Sequence, residues 1–293
     1  MPWRSTPTPS PIGTSASAMR RCRRLAAAAM ARSGRSDRRD SNVAVTTDGA
    51  YVASFYRFHP INDVAAMRER VLAACKAHSL RGTVLLAPEG VNATLAGRLS
   101  DLENVIGRHF SGVDVKWSTA AAGNPVFQRL KVRERREIVT FDHPLSPTTP
   151  VGKHLTATAW NELVADPHVL VLDVRNGYES DIGTFKGAKR AATANFRDFP
   201  DFVEQELGDH RHRPIAMFCT GGIRCEKASA YLLAQGFEDV VQLDGGILKY
   251  FAETEDADNA FEGECFVFDE RVSVTSNLEQ GSYELCGTAV DDP

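Results

Sequence analysis

Pro214-Ile215-Ala216-Met217-Phe218-Cys219-Thr220-Gly221-Gly222-Ile223-Arg224-Cys225-Glu226-Lys227 is the stretch that decides how this chain is read. Ile215 to Phe218 is a short apolar run with the character of a buried strand, and it delivers Cys219 to its C-terminal end. A glycine-bearing turn follows and a helical pattern starts at once, with Ala228, Tyr231 and Leu232 at helical spacing and Gly236 as its stop signal. A turn at a helix N-terminus offers free backbone N–H groups and the positive end of the dipole. It therefore favours an anion, either the thiolate of Cys219 or a group bonded to its sulfur. Gly221 and Gly222 let the backbone curl with its amides inward, and Arg224 adds a fixed positive charge at the rim. A buried structural cysteine is the competing reading. The strand-to-helix turn of a parallel sheet, where such folds place their sites, favours a nucleophile.

Cys219-Thr220-Gly221-Gly222-Ile223-Arg224 resembles the active-site loop of the rhodanese family, a six-residue loop that opens on the persulfide-carrying cysteine and closes on Arg. Related phosphatases use a loop one residue longer, wide enough for phosphate. The short spacing implies sulfur chemistry.

The chain has 293 residues, enough for two ordinary domains, and the composition of a globular protein. No apolar run approaches the roughly 20 residues that cross a bilayer. Cys22, Cys75, Cys219, Cys225, Cys265 and Cys286 are too scattered for a disulfide scaffold, which makes a reducing compartment the default. Cys265 and Cys286 lack the paired spacing of a zinc site, so no metal is expected. The net charge of −4 is uneven: residues 1 to 40 hold nine Arg against Asp37 and Asp40, a surplus of +7 that leaves −11 for the rest. Any nucleic-acid contact must then be a local patch.

Residues 1–48 are Ser, Thr, Pro, Ala and Arg without a sustained pattern and read as a disordered basic leader. An Arg-rich, acid-poor beginning is compatible with an organelle transit peptide, and Met19 and Met30 allow a later start. Residues 49–143 give strand, helix, strand, strand, helix, strand: Tyr51 to Phe58, Ile61 to His78, Gly82 to Ala87, Ala93 to Ala96, a helix opened by a Ser100–Glu103 capping box, and Val113 to Trp117. That order predicts a ferredoxin-like α/β sandwich. After it, Arg129, Lys131, Arg133 and Arg135 alternate with Leu130 and Val132, placing four cations on one strand face at intervals of about 7 Å. Such a rail matches a phosphate backbone, and equally a solvated edge strand guarded by charge.

Residues 144–157, opening on Pro144-Leu145-Ser146-Pro147-Thr148-Thr149-Pro150, read as a linker. In 158–253, Trp160 to Val164, Val169 to Val174, Phe196 to Leu207, Ile215 to Phe218 and Val240 to Leu243 alternate between helix and strand, with a turn at Asp244-Gly245-Gly246. The pattern predicts a parallel sheet covered on both faces, the rhodanese architecture. Leu172-Asp173-Val174-Arg175-Asn176-Gly177-Tyr178-Glu179 and Gly183-Thr184-Phe185-Lys186-Gly187-Ala188 resemble the rhodanese segment before the active-site strand. Asp173 and Arg175 leave that strand end as supporting residues, bracing the loop or serving the architecture alone. Residues 254–293 read as a C-terminal tail.

The whole run from Tyr51 to Cys286, including Cys265-Phe266-Val267-Phe268-Asp269-Glu270-Arg271-Val272, resembles the rhodanese-domain tRNA uridine hydroxylases. The resemblance implies oxygen-dependent 5-hydroxylation of the wobble uridine, position 34, by an oxidoreductase acting in the cytoplasm. Molecular oxygen is the expected co-substrate, with no other cofactor evident. The partner is tRNA at its anticodon, without a membrane or an obligate protein partner. The chain departs from the family in its leader and in the cysteine-rich end, which stops at Cys286. Cys219 is the catalytic candidate, as thiolate or persulfide, and the reading requires its sulfur to be both deprotonated and open to solvent. Cys225 is either a resolving thiol or packing. Plain sulfurtransfer from a persulfide to a small acceptor or tRNA is the alternative.

Overall fold

The computed structural model describes residues 50–121, 125–143, 145 and 148–283. The leader, Cys22, Cys286 and part of the proline-rich linker lie outside them. Strand β1 (Ala50–Phe58), helix α1 (Val64–Ala77), strands β2 (Arg81–Ala87) and β3 (Gly90–Gly97), helix α2 (Leu99–His109) and strand β4 (Lys116–Ala120) form the expected sandwich. Its sheet runs β4-β1-β3-β2, antiparallel throughout, and β5 (Leu130–Glu134) adds to its edge parallel to β2. Ala53 and Phe55 of β1 pack on Val71 and Cys75 of α1 and on Leu102, Val105 and Ile106 of α2. The opposite phase of β1, which holds Ser54, Tyr56 and Phe58, belongs to the helix-free face.

Two details of this domain differ from the sequence reading. The α2 helix starts at Leu99 after an extended Arg98 with no side-chain cap, so Ser100 and Glu103 form no capping box. Asp101 instead accepts from Arg98 Nε at 2.9 Å and pairs with His78 Nδ1 at 2.8 Å. Strand β4 begins three residues later than expected, because Val113 and Val115 pack on the core from a loop and so mimic strand alternation.

The second domain contains β6 (Lys153–Leu155), α3 (Ala157–Val164), β7 (Leu170–Asp173), α4 (Gly177–Ser180), β8 (Gly183–Phe185), β9 (Lys189–Arg190), α5 (Phe199–Glu206), β10 (Ile215–Phe218), α6 (Ile223–Ala234), β11 (Val240–Leu243) and α7 (Gly246–Glu253). Its parallel sheet runs β6-β11-β10-β7-β9. Ile215 and Met217 of β10 face Phe199, Val203, Ala228 and Leu232, whereas Ala216 and Phe218 face Trp160, Ile247 and Phe251. Both faces are therefore covered, which is why β10 reads as a continuous apolar run rather than an alternation.

The linker and tail boundaries need correction. Residues 153–155, placed in the linker by their sequence, are edge strand β6, too short to show a period; Thr156 then caps α3 through the amide of Ala159. The supposed tail folds back as β12 (Phe261–Gly263), β13 (Cys265–Phe266) and β14 (Ser273–Val274). Strand β12 pairs with β8, and Phe261, Cys265, Val267 and Val274 join the core beside Phe185. This segment also reaches the first domain, where the Thr119 amide donates to Leu278 O at 3.1 Å and Arg271 Nη1 donates to Ser118 Oγ at 2.8 Å.

Candidate active site

Cys219 leaves the C-terminal end of β10, and the loop from Thr220 to Gly222 leads straight into α6. The loop is bent from two sides. Gly222, at φ 96, occupies left-handed backbone that lets its amide turn back and donate to Cys219 Sγ at 3.1 Å. The first amides of α7 take the outward carbonyls: Ile247 N donates to Cys219 O at 3.0 Å and Leu248 N to Thr220 O at 3.1 Å. Gly246 permits that approach, since a Cβ there would lie 2.5 Å from Cys219 O. The Asp244-Gly245-Gly246 turn is thus part of the site, although its sequence announces only a turn.

Burial by itself would raise the Cys219 thiol, but the hydrogen bond from the Cys225 side chain, the Arg224 charge and the amides of Cys225 and Arg224 outweigh it and bring the pKa down to about 6. Cys225, buried and beside that thiolate, is held well above the ordinary thiol range by desolvation and then by its bond to Cys219. At neutral pH the pair is one thiolate and one thiol that donates to it.

Arg224 does not stand at an open rim, as the sequence suggests. Its guanidinium is buried and bound in two-pronged fashion by Glu179, Nη1 to Oε1 at 2.5 Å and Nη2 to Oε2 at 2.6 Å. Glu179 Oε2 also accepts from Thr220 Oγ1 at 3.2 Å, and Oε1 accepts from the Asn176 amide at 3.1 Å. The carboxylate thereby ties the loop to α4, a role its sequence signals only as the third residue of a capping pattern that starts at Asn176. Asp173 and Arg175 pair with each other, Arg175 Nη2 to Asp173 Oδ2 at 2.6 Å, and reach Gly183 O and Thr184 Oγ1 rather than Cys219. Cys265 lies beneath the loop beside Thr220 and Arg175; burial lifts its thiol to about 12.

The expectation of an open sulfur is overturned: Cys219 is 0% exposed. Cys219 packs in the core of its own domain, and the first domain adds cover over the loop that carries it. A Cβ on Gly222 would sit 3.0 Å from the hydroxyl of Tyr56, which donates to Glu226 Oε1 at 2.9 Å across 170 residues of sequence. Glu226 also binds His154 Nε2 at 3.0 Å and Gln242 Nε2 at 3.3 Å. Next on α6, Lys227 is buried under the Phe58 ring and donates to Glu137 Oε2 at 2.5 Å, Glu89 Oε1 at 2.9 Å and Val139 O at 3.1 Å. The helix-free face of the first sheet therefore lies over the cysteine loop, and an amphipathic strand face left without a helix explains why it docks.

The cation rail maps to edge strand β5. Val132 enters the core and Leu130 packs against it, whereas Lys131 and Arg133 take the other phase and Arg129 and Arg135 are exposed. Among the described residues no group of three or more His, Cys, Asp or Glu converges as a metal site, and no helix is long and apolar enough to cross a membrane.

A thiolate cradled by loop amides at the end of a parallel strand, with Arg closing the six-residue loop, defines a rhodanese-type sulfur site. Residues 156–253 match the rhodanese-like domain and residues 50–138 the UPF0176 acylphosphatase like domain. Among solved structures, a rhodanese-like domain protein from Staphylococcus aureus is 27% identical, covers 33% of this chain and 90% of its own, and has a TM-score of 0.29. Curated relatives extend further. The tRNA uridine(34) hydroxylase of Mesorhizobium japonicum is 46% identical over 80% of this chain and 77% of its own, and that of Nitrobacter winogradskyi is 44% identical over 82% and 99%. That of Picosynechococcus sp. is 45% identical over 80% of each. The chain belongs to the tRNA uridine(34) hydroxylase family.

Proposed function

We infer that this protein is a tRNA-modifying oxidoreductase that places a hydroxyl on C5 of the wobble uridine, with Cys219 as the reacting sulfur and molecular oxygen as oxidant. The observation that carries the reading is a thiol held near pKa 6 inside the amide cradle, in a chain whose relatives bear that activity in their name.

The chemistry follows from the pair of sulfurs. The Cys219 thiolate adds to C6 of uracil, and the electron pair displaced to C5 bonds oxygen to give a peroxide that takes up a proton. The Cys225 thiol accepts the terminal oxygen as a sulfenic acid, leaving C5 with its hydroxyl. Two external thiols then return Cys225 to the thiol, releasing water and a disulfide. Loss of the C5 proton breaks the C6–S bond, restores the ring double bond and frees Cys219. The wobble base is already unpaired, so presenting it requires no duplex opening. It does require Tyr56 to leave Gly222. Arg224 is committed to Glu179 through its hydrogen bonds, so it holds the sulfur anionic by its charge, while the Cys225 thiol and the loop amides are the donors.

Arg129, Lys131, Arg133 and Arg135 are the phosphate contacts of this reading, and the cytoplasm, where tRNA is found, is its location. Plain persulfide transfer uses the same loop but leaves the first domain and its docking over Cys219 without a purpose. Mass spectrometry of tRNA nucleosides from a deletion strain carrying Cys219→Ala tests the reading: 5-hydroxyuridine derivatives stay absent if it holds. Their restoration by Cys219→Ala refutes it, and loss of a thiolated base instead establishes sulfurtransfer.

A further inference from the structure

Residues 265–269 alternate in phase. Cys265, Val267 and Asp269 point into the protein, and Phe266 and Phe268 take the phase that a half-solvated strand normally fills with polar side chains. Phe268 is 50% exposed and Tyr178, on α4, is 40% exposed. The Tyr178 and Phe266 rings meet edge to face at 5.2 Å, and Phe266 meets Phe268 in the same way at 5.1 Å. Of the four exposed large hydrophobic side chains among the described residues, two therefore sit in one row, which sets it apart from scattered surface aromatics. The row ends on the active site: the guanidinium carbon of Arg224 lies 5.8 Å from the centre of the Phe268 ring. Asn176 Nδ2, which donates to Tyr178 Oη at 3.1 Å, and the buried neighbours of Phe266 hold the rings in place before anything binds.

We propose that Tyr178, Phe266 and Phe268 form a stacking platform for the unpaired anticodon nucleobases that flank the wobble uridine. Every base has a π-face, so aromatic rings hold single-stranded RNA without demanding a sequence, whereas aliphatic side chains bury area without that preference. Placement beside Arg224 gives continuity with the site that must receive the neighbouring base. The proposal rests on the tRNA reading of the site and deepens it, since it names the surface that holds the rest of the anticodon loop. It also separates the labour: the cations of β5 supply salt-dependent attraction to phosphate, and the rings supply attraction that salt leaves unchanged.

The test uses the full-length protein and a fluorescent anticodon stem-loop, with a fully paired RNA duplex as reference. Phe268→Ala and Tyr178→Ala, both surface changes, should each weaken stem-loop binding about tenfold, leave duplex binding alone and preserve the slope of affinity against salt. Phe268→Trp should bind as tightly as the parent. Stem-loop affinity within about twofold of the parent in both alanine variants, or equal weakening toward the duplex, overturns the platform. A parent protein that binds the stem-loop no better than the duplex overturns the tRNA reading itself, a result distinct from weakening confined to the variants.

Discussion

Glu179 and Arg224, 45 residues apart, bind through both oxygens and both terminal nitrogens in a buried pair, and Thr220 of the cysteine loop shares the same carboxylate. The closing charge of the loop is thus fixed from outside it. A bidentate pair out of water is held in one geometry, so the amides between Cys219 and Arg224 are aimed before substrate arrives.

Glu179→Gln should therefore do more damage than an exposed carboxylate would. It leaves Arg224 buried without its counter-charge, a destabilisation of about 3–5 kcal/mol. Calorimetric melting should show it, together with a raised Cys219 pKa, because the loop no longer holds its shape. Arg224→Lys in the parent protein should lower activity, since lysine keeps the charge but cannot make the two-pronged contact.

Cys219 should titrate with a midpoint of about 6, well below the ordinary thiol range, which the ultraviolet absorbance of the thiolate reports directly. The sign follows from the depressed value. Ionisation favours the folded state, so its contribution is full above the unfolded thiol pKa and is lost as pH falls through about 6. Cys225→Ala removes the side-chain donor and should move the midpoint up, whereas Cys225→Ser keeps a donor and should move it less. Identical midpoints in all three proteins would contradict this account.

Tyr56→Phe should expose the sulfur. Removing the hydroxyl deletes the bond to the Glu226 carboxylate and should raise the alkylation rate of Cys219 by iodoacetamide about tenfold, with the ring retained and the fold intact. An unchanged rate would mean that Tyr56 does not control access.

Lys227→Met should loosen the joint between the domains. It strands Glu89 and Glu137 at a buried position and should cost about 3 kcal/mol or more in denaturant unfolding. Recovery of most of that stability in the triple variant with Glu89→Gln and Glu137→Gln would identify the charge cluster, rather than side-chain volume, as its source.

The rail is tested by salt. Neutralising Arg133 and Arg135 should reduce the dependence of log affinity on log salt for a single-stranded anticodon loop by about 0.7 for each phosphate that the strand no longer neutralises. Binding that weakens with an unchanged slope would place those side chains off the phosphate path.

The sequence by itself determined the order of most elements and the place of the cysteine loop, though not edge strand β6 or the strands after residue 254. Strand β10 matches its apolar run residue for residue, the Gly222 turn sits where the paired glycines put it, and Cys219 stands at the strand end. These are local statements, decided by periodicity and backbone freedom within a few residues. The two readings of the cation rail also survive together, because an edge strand and a phosphate contact need the same alternation. Only the tertiary structure decided that Tyr56 lies over Gly222, that Glu179 claims Arg224, and that the segment after residue 254 enters the core. Each joins side chains whose partners lie tens of residues or more away, and their own neighbourhoods carry no pattern that names the partner. Docking of an uncovered sheet face chooses among many such pairings at once, and that choice is made by burial in three dimensions.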